Sequence, residues 1–278
     1  MGAWLMRVPG CVVSGAMGAV LFCVAPAIAC DLPEGETATV AAIEDGETLE
    51  LTDGRKVRLL GVKAPSEPLG KRGDEPWPFV VEAKTALSRL ASGAKVELRF
   101  DERRSDRHGH LLAHVYLVRA GSRIWVQEAL VQDGFARVYA FADARACVAE
   151  LLAREAEARD ARRGLWYSWA YRVADAEDAK RLGRLTHSYQ LVEGTVFAVG
   201  EGRKWIYLNF AEDWRTDFTI SVERKKASAF EAAGIDLHAL AGKNLRVRGW
   251  VEWRNGPMIE ATYPEQIELL RPAPEPAP

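Results

Sequence analysis

The sequence predicts a mainly β protein with appended helices (α+β), organised as two small β-barrels in tandem. Three observations carry this. Alternating or β-branched runs recur at short intervals, bounded by Gly, Pro or Asp turns. The order strand, strand, strand, helix, strand, strand occurs twice. Between the two, Ala174 to Tyr189 is polar and charged and reads as a linker, residues 173–189. A length of 278 residues suits one or two domains, and 48% apolar with 27% charged residues is a globular composition.

In the first unit, residues 37–172, two β-branched-rich runs between 38 and 63 flank Thr52-Asp53-Gly54-Arg55, whose Asp-Gly is a strong hairpin signal. A Pro/Gly-rich loop follows from Ala64 to Pro78. Val80, Ala83, Ala86 and Leu87 then fall at helical spacing, so a helix is expected over Phe79 to Leu90. Lys95 to Phe100 alternates as a strand, with Val96, Leu98 and Phe100 on one face. The charged loop Asp101 to His110 leads into an apolar strand, Leu111 to Val118. A short helix over Val126 to Gln132 stops at Gly134. The Ala-, Glu- and Arg-rich stretch Asp143 to Arg163 has high helix propensity and ends at Gly164, before Leu165-Trp166. Five strands with an inserted helix and appended helices give an OB-type barrel.

The second unit, residues 190–271, offers strands at Val192 to Val199, Trp205 to Phe210, Asp217 to Val222, Leu245 to Trp253 and Met258 to Leu269. A helical excursion precedes the fourth, and Ser228-Ala229-Phe230-Glu231 has capping-box spacing at its start. This is again OB-like order. Trp205, Tyr207, Phe210, Trp214, Trp250 and Trp253 interleave with Arg203, Lys204, Arg215, Arg246, Arg248 and Arg254. That pattern suits base stacking with backbone tracking. The plainer reading makes the aromatics core and the arginines surface, because alternation alone places half of the positions inside. The working label is a module for a substrate or a protein partner. Residues 272–278 are a Pro/Ala tail too poor in core residues to fold.

Residues 1–29 read as a signal peptide, with Arg7 as the lone charge, an apolar run from Cys11 to Val24 and a cleavage site at Ala27-Ile28-Ala29. Export to the periplasm or beyond is therefore expected. Cleavage leaves Cys30 and Cys147, and an isolated pair in an oxidising compartment is more often bridged than free. The rival, lipidation of Cys30 after a relaxed lipobox, stays open. A formal charge of −2 supplies no long-range attraction for polyanions, so nucleic acid would need a local basic groove.

Asp45-Gly46-Glu47-Thr48, Arg58-Leu59-Leu60-Gly61-Val62-Lys63-Ala64-Pro65-Ser66-Glu67 and Asp106-Arg107-His108-Gly109-His110 together resemble the active-site loops of the thermonuclease (staphylococcal nuclease-like) family. The resemblance covers about Thr37 to Arg172. In that family a calcium ion and two arginines bracket the phosphate while a carboxylate activates water, a division of labour general to phosphodiester hydrolysis. The resemblance places Glu47 at the first metal-ligand position, usually Asp, and Arg58 at the first catalytic arginine. Arg58 lies between Val57 and Leu59, so an acid or a phosphate is expected to face it. A structural pair with Glu47 is the rival reading.

Lys63 stands where the family places a metal-binding Asp, and Ala64 removes a neighbouring side-chain oxygen. Ser66 takes the place of the carboxylate base, with Glu67 one residue further on. His110 replaces the second arginine, while Arg107 and His108 match positions that approach a nucleotide phosphate. A zinc site from His108, His110 and His114 matches no strong spacing signature. No cofactor is expected, and calcium only if the family mechanism survives. The implied function is binding of nucleic acid, DNA or RNA, or of another phosphodiester, with calcium-dependent hydrolysis weakened or lost. One alternative is a metal-independent nuclease running on Arg58, Lys63, His110 and Glu67. Another is a protein-interaction module of the cell envelope.

Overall fold

The computed structural model describes residues 30, 32–66, 77–119 and 122–270. The segment 1–29, Glu67 and the tail 272–278 lie outside the described residues. The first unit comprises β1 (Glu36–Ile43), β2 (Thr48–Leu51), β3 (Lys56–Leu59), β4 (Val62–Lys63), α1 (Val80–Ala91), β5 (Lys95–Arg99), β6 (Leu111–Arg119), β7 (Ser122–Trp125), α2 (Val126–Gln132), β8 (Arg137–Val138) and α3 (Val148–Asp160). Its sheet runs β3-β2-β1-β5-β6-β7, and a parallel pairing of β3 with β6 closes the first five strands into a barrel. Gly54, at φ 84, makes the turn between β2 and β3, a conformation that favours glycine. Alternation along β3 sends Val57 and Leu59 into the core and leaves Lys56 and Arg58 outside it.

The two long helices start later than composition suggests. Phe79 sits at φ 70 and Cys147 at φ 66, so neither can lie inside a right-handed helix, and α1 and α3 begin just after them. Cys147 is bonded to Cys30, with Cα atoms 4.8 Å apart. The residues expected to open the last helix, 143–146, form a turn in which the Ala146 N–H donates to Asp101 at 2.8 Å.

The second unit comprises β9 (Ala174–Asp175), α4 (Ala179–Arg184), β10 (Tyr189–Thr195), β11 (Ala198–Glu201), β12 (Trp205–Asn209), β13 (Thr219–Glu223), α5 (Ala227–Ala232), β14 (Asn244–Trp253), β15 (Pro257–Ala261) and β16 (Ile267–Leu269). The sheet runs β11-β12-β13-β15-β14-β10-β9, with β16 on β14 and β13 parallel to β15. It repeats the connectivity of the first barrel, as a half-barrel. Three expectations need correction here. The stretch expected as a linker supplies β9 and α4, and Ala174, Ala176 and Leu182 enter the core. Ser228 lies inside α5, which starts at Ala227 with Lys226 as its N-cap, so the capping-box spacing there caps nothing. The single strand expected from Met258 to Leu269 is broken by Pro264 into β15 and β16.

The two units share a buried seam. Leu165, Trp166 and Tyr171 of the first pack with Tyr189 and Leu191 of the second. Beside them Arg248, 1% exposed, forms an ion pair of 2.7 Å with the fully buried Glu155 of α3 and a second with Glu268. Burial opposes charge on Arg248, but the two carboxylates override it and raise its pKa.

Candidate functional site

The turn between β1 and β2 can bring its acid to the barrel rim because residue 46 is glycine. A Cβ there would sit 2.8 Å from the Cβ atoms of both Ala64 and Ala83. Asp45 Oδ1 accepts from the Glu47 N–H at 2.8 Å and fixes the turn. Glu47 is 6% exposed and its carboxylate is fully engaged. Its Oε2 accepts from the Ala64 N–H at 2.7 Å, while Oε1 lies 3.0 Å from both Arg58 Nη2 and Lys63 Nζ. Lys63 also donates to Ser66 Oγ at 3.4 Å. Two cations against one anion leave this cluster with one net positive charge. Arg58 and Lys63 remain 24% and 14% exposed, so their unused donors reach water.

This donor set does not fit a divalent cation. Calcium takes about six to eight oxygen ligands, several of them carboxylate. Here the one carboxylate in the cluster has both oxygens occupied, and an ammonium shares one of them. Among the described residues no three His, Cys, Asp or Glu side chains converge on a point. What the cluster suits is an anion, with Arg58 and Lys63 as a fixed pair of donors.

The second expected group is built separately. In the turn before β6, Asp106 Oδ1 accepts from the N–H groups of His108 and His110 at 2.8 and 3.0 Å. Asp106 Oδ2 lies 3.1 Å from His110 Nδ1. Burial pushes the Asp106 carboxyl up, but those N–H groups and the His110 imidazole bring it below the ordinary carboxylate range. Arg107 Nε donates to His108 Nε2 at 3.0 Å. His108, Gly109 and His110 line a cleft of about 430 Å³ with Gly54, Arg55 and Lys56. The register Val57 to Leu111 and Arg58 to Leu112 across β3 and β6 sets His110 level with Lys56, two residues along β3 from Arg58. Among the described residues no hydrogen bond or ion pair joins His110 to Glu47, Arg58 or Lys63. His114 is buried in the core with its ring 5.4 Å from Trp125, apart from His108 and His110, and burial depresses its pKa to about 4. Glu67 lies outside the described residues.

Lys63 is positioned from the far side of the seam. Its strand, β4, pairs with β8 alone, Lys63 opposite Arg137 and Val62 opposite Val138. Arg137 donates to the Tyr189 carbonyl at 2.7 Å, with its guanidinium 5.0 and 5.2 Å from the Tyr171 and Tyr189 rings. Tyr189 Oη donates to the Val138 carbonyl at 2.9 Å, and the Val138 N–H donates to Glu155 at 2.7 Å. Nothing in the sequence marks Arg137, Glu155 or Tyr189, and Arg246 and Arg248, at alternating positions of one strand, looked like a solvent face.

Residues 56–168 match the family described as Staphylococcal nuclease homologue. That span takes in Arg58, Lys63, Arg107, His108 and His110 and begins after Glu47. A thermonuclease from Staphylococcus hyicus is 31% identical over 105 residues, covering 37% of this chain and 59% of that protein. The chain therefore spans less than two thirds of the length of the relative it matches.

Proposed function

We propose, from the match of residues 56–168 to the staphylococcal nuclease homologue family, an exported protein that binds a nucleic-acid phosphodiester through Arg58 and Lys63 without calcium-dependent hydrolysis. The observation that carries the reading is Glu47 Oε1, held at 3.0 Å by both cations. A lysine there supplies permanently the positive charge that an ion would otherwise bring. A phosphate oxygen meets two donors already aimed at an oxyanion, and Arg107 and His108 extend the contact along the rim. Hydrolysis needs more. A base must lie within hydrogen-bond reach of the water it activates. Among the described residues the one acid touching Arg58 and Lys63 is Glu47, which is committed to both. Export is supported by the leader-like N-terminus and by the Cys30–Cys147 disulfide, which occupies the sulfur that lipidation would need.

One observation favours a second reading, a metal-independent phosphodiesterase. Asp106 orients His110 through Nδ1, leaving Nε2 to give or take a proton. A single experiment separates the two. Mature protein is mixed with labelled single-stranded DNA or RNA in calcium and, separately, in EDTA. Equal retention in both without cleavage is expected. Arg58→Ala and Lys63→Gln should each weaken retention about 10- to 100-fold, the worth of one charge-assisted hydrogen bond. Cleavage in EDTA lost in His110→Ala would establish the second reading, and calcium-stimulated cleavage would overturn both.

A further inference from the structure

The second unit carries a groove of about 560 Å³ on the outer face of β11, β12, β13 and β15. This volume falls within the range of small-ligand sites. Register places Gly200, Tyr207 and Ser221 in one row across the strands, and Asn209, Thr219 and Met258 in the next. Gly200 presents no side chain beside Tyr207, whose ring lies over Gly202 and lines the groove. Trp205 and Trp214 form the walls. Trp214 is 48% exposed, and the Arg215 guanidinium lies 4.5 Å from its ring centroid. Ser221 is only 2% exposed, yet its Oγ has no hydrogen-bond partner. A buried hydroxyl without a partner at the floor of an aromatic groove is a donor awaiting a ligand.

Charge identifies the class of ligand. Both ionic side chains lining the groove are already paired, Glu201 with Arg224 at 2.7 Å and Arg254 with Glu252 at 2.9 Å. The floor therefore offers rings, amides and hydroxyls, which suit a planar uncharged group with polar edges. Arg203 and Lys204 are exposed in the turn between Glu201 and Trp205, two residues that line the groove, and have no carboxylate partner among the described residues. A neutral aromatic floor with two unpaired cations in the adjoining turn matches a stacked base on an anionic strand.

We propose that this groove binds unpaired bases of single-stranded nucleic acid. The proposal rests on the reading of the chain as a nucleic-acid binder and narrows it to the unpaired form. The test uses the full mature chain and a labelled oligothymidylate of about a dozen nucleotides, its duplex with oligoadenylate, inorganic phosphate and a neutral hexasaccharide. Tryptophan fluorescence should be quenched by the single strand and not by duplex, phosphate or sugar. Trp205→Ala and Tyr207→Ala should each weaken single-strand binding about 5- to 100-fold, and Ser221→Ala should weaken it less while leaving the fold intact.

Loss of binding in Arg58→Ala with none in the groove variants would overturn this proposal and leave the phosphate reading standing. The reverse pattern would do the opposite. Quenching by the hexasaccharide alone would reassign the groove to sugars and overturn the proposal. If the aromatic variants fail to fold, ultraviolet cross-linking of the wild-type chain decides. Adducts at Trp205, Tyr207 or Trp214 are expected, and adducts confined to the first barrel would refute the assignment.

Discussion

Glu47 competes with any arriving phosphate for the same two cations, so Glu47→Gln should move stability and affinity in opposite directions. The amide keeps an oxygen to accept from the Ala64 N–H, so the turn survives. Arg58 and Lys63 lose their counter-ion at 3.0 Å. Removing one partner of a fully buried pair costs about 3–5 kcal/mol. Both cations retain water contact, and a loss of about 2 kcal/mol is expected after that discount. The gain is on the ligand side. A unit charge about 5 Å from a bound phosphate, at an effective dielectric near 20, contributes about 3 kcal/mol of repulsion. Screening and relaxation reduce this to about 2 kcal/mol, or roughly 30-fold in affinity. Urea denaturation measures the first term and titration with a single-stranded oligonucleotide the second. A variant that binds more weakly than wild type, or that gains stability, would show that Glu47 is not an internal competitor.

Three further outcomes follow from buried groups. The His114 imidazole has its pKa depressed from 6.5 to about 4 by burial, so the unfolded state takes up the proton first as pH falls. Stability should be complete above pH 6.5 and fall by about 3 kcal/mol between there and pH 4, a slope that His114→Leu removes in denaturation curves. Arg248→Met leaves Glu155 in the core with Arg159 at 3.6 Å as its nearest cation. It should cost about 3–5 kcal/mol, with Glu155→Gln in the same chain restoring much of that, whereas additive losses would refute the coupling. Replacing Cys30 and Cys147 by Ser opens a loop of 117 residues and should lower stability by about 4–5 kcal/mol, read from the urea midpoint.

The first barrel was legible because its signals are local. Asp53-Gly54 set the hairpin, the strand expected over Lys95 to Phe100 became β5, and the stretch at 126–132 became α2 with no change of boundary. Backbone positions that composition does not encode were not legible. Nothing about Phe79 or Cys147 as residue types announces a left-handed conformation, and both moved a helix start. At the site, the facing of Arg58 by an acid followed from the cost of a guanidinium beside apolar neighbours, and Glu47 meets it. The capture of Lys63 by the same oxygen did not follow, because it depends on the register of β4 against β8. The aromatic pattern in the second unit divided both ways. Phe210 is core and Trp253 is 61% exposed, while Arg246 and Arg248 turned inward to the seam and left the surface reading wrong for them.

Val138 is held by Glu155 through its N–H and by Tyr189 through its carbonyl, and Lys63 rides on the neighbouring strand. Cutting the chain after the first barrel would strip away Tyr189 and leave Glu155 without Arg248. The rim that carries Lys63 would then lose its alignment even if the barrel itself stayed folded. Neither half is a transferable cassette. Gene fusion or shuffling that kept one without the other would inherit the fold and forfeit the lysine's aim.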